Sequence, residues 1–77
     1  MNKRELVREV AITASWIQKD MTKTVSAVFD VIKEELINGG FVDIPYFGRF
    51  EVKIKYGRKY PVFIPSKDLR LIIKYNL

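Results

Sequence analysis

The feature that most constrains the fold is a long, one-sided apolar stripe in residues 18–37. At the 3.6-residue period of an α-helix these side chains fall on one wide face: Met21, Val25, Val28, Phe29, Val31, Ile32 and Leu36. A helix of about 20 residues is roughly 30 Å long, and Gly39-Gly40 ends it. We therefore predict a long amphipathic helix that needs a partner surface along its whole length.

The rest of the chain is too small to cover that stripe. The chain has 77 residues, and a domain near this size buries only about 60% of the surface that its unfolded chain exposes. Disulfides, a structural metal or association usually stabilise such small domains, but the sequence has neither cysteine nor histidine. We therefore expect two copies to associate. The predicted dimer core comprises Val25, Val28, Phe29, Ile32, Leu36, Phe47, Phe50 and Phe63.

Shorter helices are predicted at both ends of the chain. In residues 3–14, apolar side chains recur at helical spacing, and Asn2 with Glu5 three residues later forms a capping box that starts the helix near residue 3. Near the other end, Ser66 is a good N-cap for a short helix over residues 67–75. The first helix has no comparable stop signal.

The region between Gly40 and the last helix predicts three antiparallel strands. Residues 49–56 alternate strictly between polar and apolar side chains, which is the pattern of a half-buried strand. A shorter strand precedes it, and residues 60–64 return as a third strand after a tight loop of two or three residues that begins at Gly57. Tyr56 and Tyr60 should then stack as a cross-strand pair. The order helix, helix, three strands and short helix defines an α+β fold.

All of the net charge of +5 comes from the second half of the chain. Residues 1–40 hold six basic and six acidic residues, whereas residues 41–77 hold eight basic and three acidic ones. The basic residues concentrate on the polar face of the middle strand and in its loop: Arg49, Lys53, Lys55, Arg58 and Lys59. A two-residue step along a strand is about 6.6 Å, which is close to the phosphate spacing of one DNA strand. This face therefore either follows a phosphate backbone or is a solvated face that discourages edge pairing.

The sequence offers no arrangement of side chains for catalysis. No histidine is available to activate Ser15, Ser26 or Ser66. Glu34 and Glu35 are adjacent on a helix, so they project about 100° apart and cannot share a proton at one site. We expect a protein that is not an enzyme and that uses no cofactor or metal.

The cellular compartment is predicted from what the sequence lacks. No segment has the form of a signal peptide, and no apolar run approaches the length of a membrane span. The absence of cysteine fits a reducing compartment. We expect a cytoplasmic protein with no membrane partner.

Four blocks of the sequence carry a family resemblance. They are Asn2-Lys3-x-Glu5-Leu6, Ala27-Val28-Phe29-Asp30, Phe47-Gly48-x-Phe50-Glu51-Val52 and Pro61-Val62-Phe63-Ile64-Pro65-Ser66-Lys67-x-Leu69. Together they resemble the bacterial HU/IHF nucleoid proteins, the DNABII family. The resemblance covers nearly the whole chain, and its third block is the most specific part.

The resemblance implies an intertwined homodimer in which two long helices cross and two three-stranded sheets form a saddle. The chain is then one HU-like domain, residues 1–77, with a helical dimerisation part (1–40) and a part that holds the saddle sheet and the C-terminal helix (41–77). It also implies minor-groove binding and bending of DNA, in the bacterial nucleoid or, for a phage protein, in the host cytoplasm. The basic residues that match family positions are Lys3, Lys53, Lys55, Arg58, Lys59, Lys67 and Arg70.

The chain departs from the family chiefly in its arms. Family members extend the second and third strands into long arms, each tipped by a proline that wedges between base pairs, whereas here three residues connect Tyr56 to Tyr60. Ile17 replaces the usual serine cap of the second helix, and Ser15 replaces the glycine before it. Ile64 stands where a basic residue is common.

Two functions follow from these observations. The first is an armless HU-like dimer that binds duplex DNA without sequence preference and with little bending. Its binding surface consists of Arg49 and the seven basic residues that match family positions. The second is a protein-interaction or inhibitor module that keeps the dimer scaffold but has lost DNA binding. Such a module, of the kind that phages encode, would pair with a full-length HU subunit or dock on an acidic protein surface. Retained charge favours the first, and the missing arm favours the second.

Overall fold

The computed structural model describes residues 1–76, which form three helices and three strands. The elements in chain order are α1 (Lys3–Ala14), α2 (Gln18–Ile37), β1 (Val42–Ile44), β2 (Gly48–Lys55), β3 (Arg58–Pro65) and α3 (Lys67–Tyr75). The predicted element order and the α+β class are confirmed. Two compact units divide the chain, Met1–Val31 and a second that begins at Ile32.

Helix α1 begins as predicted and ends in a strained residue. The Asn2 side-chain oxygen accepts a hydrogen bond of 2.9 Å from the Glu5 amide. At the other end Ser15 has a φ of 56°, in the left-handed region, and its amide donates to the Ile12 carbonyl while the Trp16 amide donates to Ala11. This is the Schellman arrangement, in which glycine usually occupies the left-handed position. Serine at this position is strained because its Cβ crowds the backbone.

The core of the first unit lies between α1 and the start of α2. Val7, Ala11, Met21 and Val25 are buried together, and Leu6 and Val10 pack against them. Farther along α2, Val28 is 52% exposed and Phe29 is 44% exposed. Within a single chain, the apolar stripe is therefore buried at Met21 and Val25, exposed at Val28 and Phe29, and half-buried at Ile32 and Leu36.

The sheet of the second unit is antiparallel with the strand order β1-β2-β3. Phe50 lies opposite both Val42 on β1 and Phe63 on β3. The Phe63 ring lies 4.9 Å from the Phe50 ring and 5.2 Å from the Phe47 ring, measured between centroids. A Cβ on Gly48 would lie 2.6 Å from the Phe63 ring and from the Ile64 carbonyl oxygen. The aromatic cluster and the third strand therefore require glycine at this position.

The turn between β2 and β3 differs from the prediction. Lys55 pairs with Arg58, so the turn consists of Tyr56 and Gly57 rather than a loop that begins at Gly57. Both turn residues have positive φ, 53° and 75°. A type I′ hairpin turn requires this, and its twist matches that of the flanking strands. Tyr60 consequently lies opposite Lys53, and the predicted Tyr56–Tyr60 pair is wrong.

The turn between β1 and β2 holds a second tyrosine in the left-handed region. The Phe47 amide donates a hydrogen bond of 3.1 Å to the Ile44 carbonyl. Pro45 and Tyr46 lie between them, and Tyr46 has a φ of 64°. Proline followed by a residue of positive φ is typical of a type II turn, where glycine is the usual second residue.

Helix α3 begins at the predicted cap. The Ser66 hydroxyl accepts a hydrogen bond of 3.0 Å from the Leu69 amide. The Ser66 amide donates to the Phe47 carbonyl at 2.9 Å, which ties the start of α3 to the turn before β2. Ile72 and Ile73, on the predicted apolar face, are exposed in the single chain.

Candidate nucleic-acid interface

The strand register gathers three of the predicted basic residues on one face of the hairpin. Lys53 and Lys55 alternate along β2, and Arg58 lies directly opposite Lys55. Residues that oppose each other in an antiparallel pair share a face, and all three side chains are exposed. We call these three residues, Lys53, Lys55 and Arg58, the basic cluster.

Lys59 does not belong to this face. It pairs with Ile54, and Ile54 alternates with Lys53 and Lys55, so its side chain lies on the other side of the sheet. The two-residue turn causes this separation, because Arg58 and Lys59 are then consecutive residues of β3. The predicted ribbon of five cations is therefore divided between the two faces of the hairpin.

Arg49 shares the face of the basic cluster but lies among acidic groups. One guanidinium nitrogen is 3.9 Å from a Glu51 carboxylate oxygen, and Asp43 lies opposite Arg49 on β1. The guanidinium carbon also lies 4.0 Å from the centroid of the Phe41 ring. Positive charge is thus offset at this end of the sheet and concentrated at the hairpin end.

The other predicted basic residues lie on helices. Lys67 and Arg70 are exposed on α3, three residues apart and thus neighbours on the helix surface. Lys3 is exposed in the first turn of α1 and lines a surface cavity with Arg4, Gln18 and other residues of the first unit. Lys67 and Arg70 thus add two exposed cations to the second unit, and Lys3 is an exposed cation of the first.

The prediction from sequence missed the position of Tyr56. Its ring is 93% exposed at the tip of the hairpin, and the Lys55 ammonium lies 5.7 Å from the ring centroid. The alternating pattern assigned Tyr56 to the strand. The signal available in the sequence was Gly57, which suits the second position of a type I′ turn as well as the first position of a longer loop.

Residues 1–76 provide no group of three or more acidic, histidine or cysteine side chains placed to bind a metal ion. None of the helices in that range has the length and apolarity to cross a membrane.

Comparison with known proteins identifies the family. The family model described as "Bacterial DNA-binding protein" matches residues 1–61. The chain belongs to this family, the HU/IHF proteins. The HU protein of Geobacillus stearothermophilus is 39% identical over 90 residues, which cover 96% of this chain and all of that protein. Members of the family are architectural DNA-binding proteins, so the prediction that the chain is not an enzyme is confirmed.

Solved HU structures share the fold. The V42I mutant of HU from Thermotoga maritima superposes with a TM-score of 0.87 at 37% identity, covering 95% of this chain and 99% of that one. HU from a cocrystal structure of Anabaena HU with DNA has a TM-score of 0.85 at 26% identity, covering 97% and 99%. The HU-like fold is therefore confirmed.

The alignment with the Geobacillus protein also supports a shortened chain. Because 96% of 77 residues is about 74, about 16 of the 90 aligned positions have no counterpart here. The family match ends at residue 61, shortly after the Tyr56-Gly57 turn.

Proposed function

We propose that the chain forms a homodimer that binds duplex DNA without sequence preference through an armless basic saddle, and that it bends the DNA little. The basic cluster carries this proposal. It places three exposed cations on one face at the end of a hairpin, in a chain of a DNA-binding family. The ion pair found within residues 1–76 joins Arg49 to Glu51 and involves none of the three.

The uncovered apolar surface supports the dimer. Phe47 and Phe63 are exposed in the single chain, as are Val28 and Phe29. A second copy would cover these side chains and make residues 1–77 one domain, with residues 1–40 for dimerisation and residues 41–77 for the saddle. Ile32, Leu36 and Phe50 are half-buried and would complete the same interface.

Phosphate contacts would supply the affinity. The basic cluster is the centre of the proposed surface, and Lys67 and Arg70 of α3 add exposed cations in the same unit. Lys59 lies on the opposite face of the hairpin, acidic neighbours offset Arg49, and Lys3 belongs to the first unit, so these three residues are the least supported members of the predicted set. Contacts to phosphates carry no sequence information, so affinity should be similar for all duplexes. The short hairpin has neither an arm to encircle the duplex nor a proline wedge at its tip, which is why little bending is expected. Such binding would place the protein in the bacterial nucleoid, or in the host cytoplasm if a phage encodes it.

A salt series on duplex DNA tests the proposal. If about four to six ion contacts form per dimer, log affinity should fall with log salt at a slope of roughly −4 to −5. The double variant Lys53→Ala/Lys55→Ala should weaken binding and flatten the slope. The double variant Lys23→Ala/Lys33→Ala removes the same charge from the exposed face of α2 and should bind like the wild type. Affinity that is indifferent to salt, or to loss of Lys53 and Lys55, would contradict the proposal.

The interaction module remains the second candidate, and the environment of Arg49 favours it. Asp43 and Glu51 offset the positive charge there, which restricts the basic surface to the hairpin end. In this case the scaffold would pair with a full-length HU-like subunit or meet an acidic protein surface. Mixing the purified chain with a full-length HU protein and measuring heterodimers by native mass spectrometry tests this function. It is supported if heterodimers form while duplex binding is absent at low salt.

A further inference from the structure

The tip of the β2–β3 hairpin carries an aromatic ring in a position that the fold of this chain does not explain. Tyr56 occupies the first position of a type I′ turn with a φ of 53°. Asparagine, aspartate and glycine are strongly preferred there because other side chains are strained at positive φ. Burial of the ring does not compensate for this strain, since the ring is 93% exposed.

The surroundings of the ring indicate the kind of ligand that it would contact. Lys55 and Arg58 flank the turn as the last pair of the ladder, and the Lys55 ammonium faces the ring. An aromatic face among cations suits a partner with phosphates and flat bases. A docking site for an apolar protein surface would have apolar neighbours beside the ring instead of these charges.

The dimensions of the hairpin favour an unpaired base over a paired one. In a duplex each base is already stacked on its neighbours, and a protein ring reaches a base face only by separating them at a cost in free energy. In a single strand the base faces are free, and stacking on aromatic side chains is the general mode of binding. A two-residue turn projects no chain beyond the strands that could force a base step open.

We propose that Tyr56 stacks on an unpaired base and thereby makes the hairpin tip a binding site for single-stranded DNA. The basic cluster holds the phosphates on either side of the stacked base. The inference rests on the proposed function in one respect, since it uses the same cations for phosphate contacts. It goes beyond that function because the ring contributes affinity that does not depend on charge.

The chain offers a matched control in Tyr46. This tyrosine also lies in a tight turn with positive φ, 64°, and it is 80% exposed. Pro45 and Phe47 flank it instead of basic residues. Replacing either tyrosine with asparagine removes an exposed ring and relieves the same backbone strain, but only Tyr56 lies beside the basic cluster.

The experiment measures binding of fluorescently labelled oligothymidylate by anisotropy over a salt series. Stacking on one aromatic side chain is worth about 1–3 kcal/mol per base, so Tyr56→Asn should weaken binding about tenfold at every salt concentration without changing the salt slope. Tyr56→Phe keeps the ring and should bind within about twofold of the wild type, as should Tyr46→Asn. Binding of intact duplex should change less than about twofold in all three variants.

Two results would overturn the inference. One is oligothymidylate binding by Tyr56→Asn that equals the wild type. The other is an equal loss on duplex and single strand, which would mean that Tyr56 acts through the shape of the hairpin. Failure of the proposed function would give a different result. The Lys53→Ala/Lys55→Ala variant would then keep the wild-type salt slope on duplex DNA. Tyr56→Asn would still weaken binding of oligothymidylate.

Discussion

The two halves of α2 have the same apolar pattern but different environments. In the first half, Met21 and Val25 are buried against α1 of the same chain. In the second half, Val28 and Phe29 continue the stripe and remain exposed. The amphipathic pattern thus indicates which face of the helix is buried, but not whether the same chain or a second chain covers it. Substitutions and dilution distinguish cover by the same chain from cover by a second chain.

The largest effect is on association. If a second chain covers the second half of α2, sedimentation equilibrium at micromolar concentration should give twice the chain mass of 9.0 kDa. Dilution should then unfold the protein, because dissociation exposes the core. A folded monomer that persists on dilution would contradict the predicted dimer core.

Removing one aromatic side chain from the second half of α2 should have the next largest effect. Phe29→Ala should lower the free energy of unfolding by about 3–5 kcal/mol, as for a buried aromatic side chain, although Phe29 is 44% exposed in one chain. Urea unfolding at two protein concentrations measures the loss.

The control for this variant is Ile12→Ala, which removes an exposed apolar side chain from α1. Its effect should stay within about 0.5 kcal/mol, as for a surface substitution. If Phe29→Ala costs less than about 1 kcal/mol, Phe29 is not covered in the assembled protein.

A gain in stability is expected at the start of α2. The amides of Asp20 and Met21 donate to the Ile17 carbonyl, so Ile17 is the residue before the helix. Isoleucine has no side-chain acceptor for the free amides of the first turn. Ile17→Ser should therefore stabilise the protein by about 1 kcal/mol, measured as a higher urea midpoint. Ile17→Ala also lacks an acceptor, and a similar gain from alanine would show that capping is not the cause.

The smallest effect concerns the end of α1. Ser15 adopts a φ of 56°, which costs a non-glycine residue about 1–2 kcal/mol. Glycine relieves this strain but loses more backbone entropy on folding, about 0.5–1 kcal/mol. Ser15→Gly should therefore stabilise the protein by about 0.5 kcal/mol net. Ser26→Gly, in the middle of α2, should destabilise it instead, and the same sign for both variants would argue against strain at Ser15.

The sequence predicted the helices well because their signals are local. Asn2 and Ser66 accept the hydrogen bonds that their positions predicted. The hairpin turn was misplaced because strict alternation continues through Tyr56, a residue that rarely adopts positive φ. In the sequence Gly57 fits either turn, and only the pairing of Lys55 with Arg58 distinguishes them.

The candidate site was predictable in composition but not in arrangement. The sequence shows that basic residues concentrate in the hairpin, but the face of Lys59 depends on the length of the turn. One acidic neighbour of Arg49 likewise depends on register, because Asp43 lies opposite it only through the pairing of β1 with β2. Which side chains meet across two strands depends on how the strands pair, so the alternation within one strand cannot predict it.

The short turn between β2 and β3 also bears on the lifetime of a DNA complex. The ladder is continuous from Gly48 and Pro65 to Lys55 and Arg58, so no segment of the hairpin has to become ordered on contact. Electrostatic attraction alone would then set a high association rate. Without an arm to close over the duplex, the proposed complex would also dissociate rapidly. A chromosome coated with such dimers would exchange them quickly, leaving each stretch of DNA covered for only a short time.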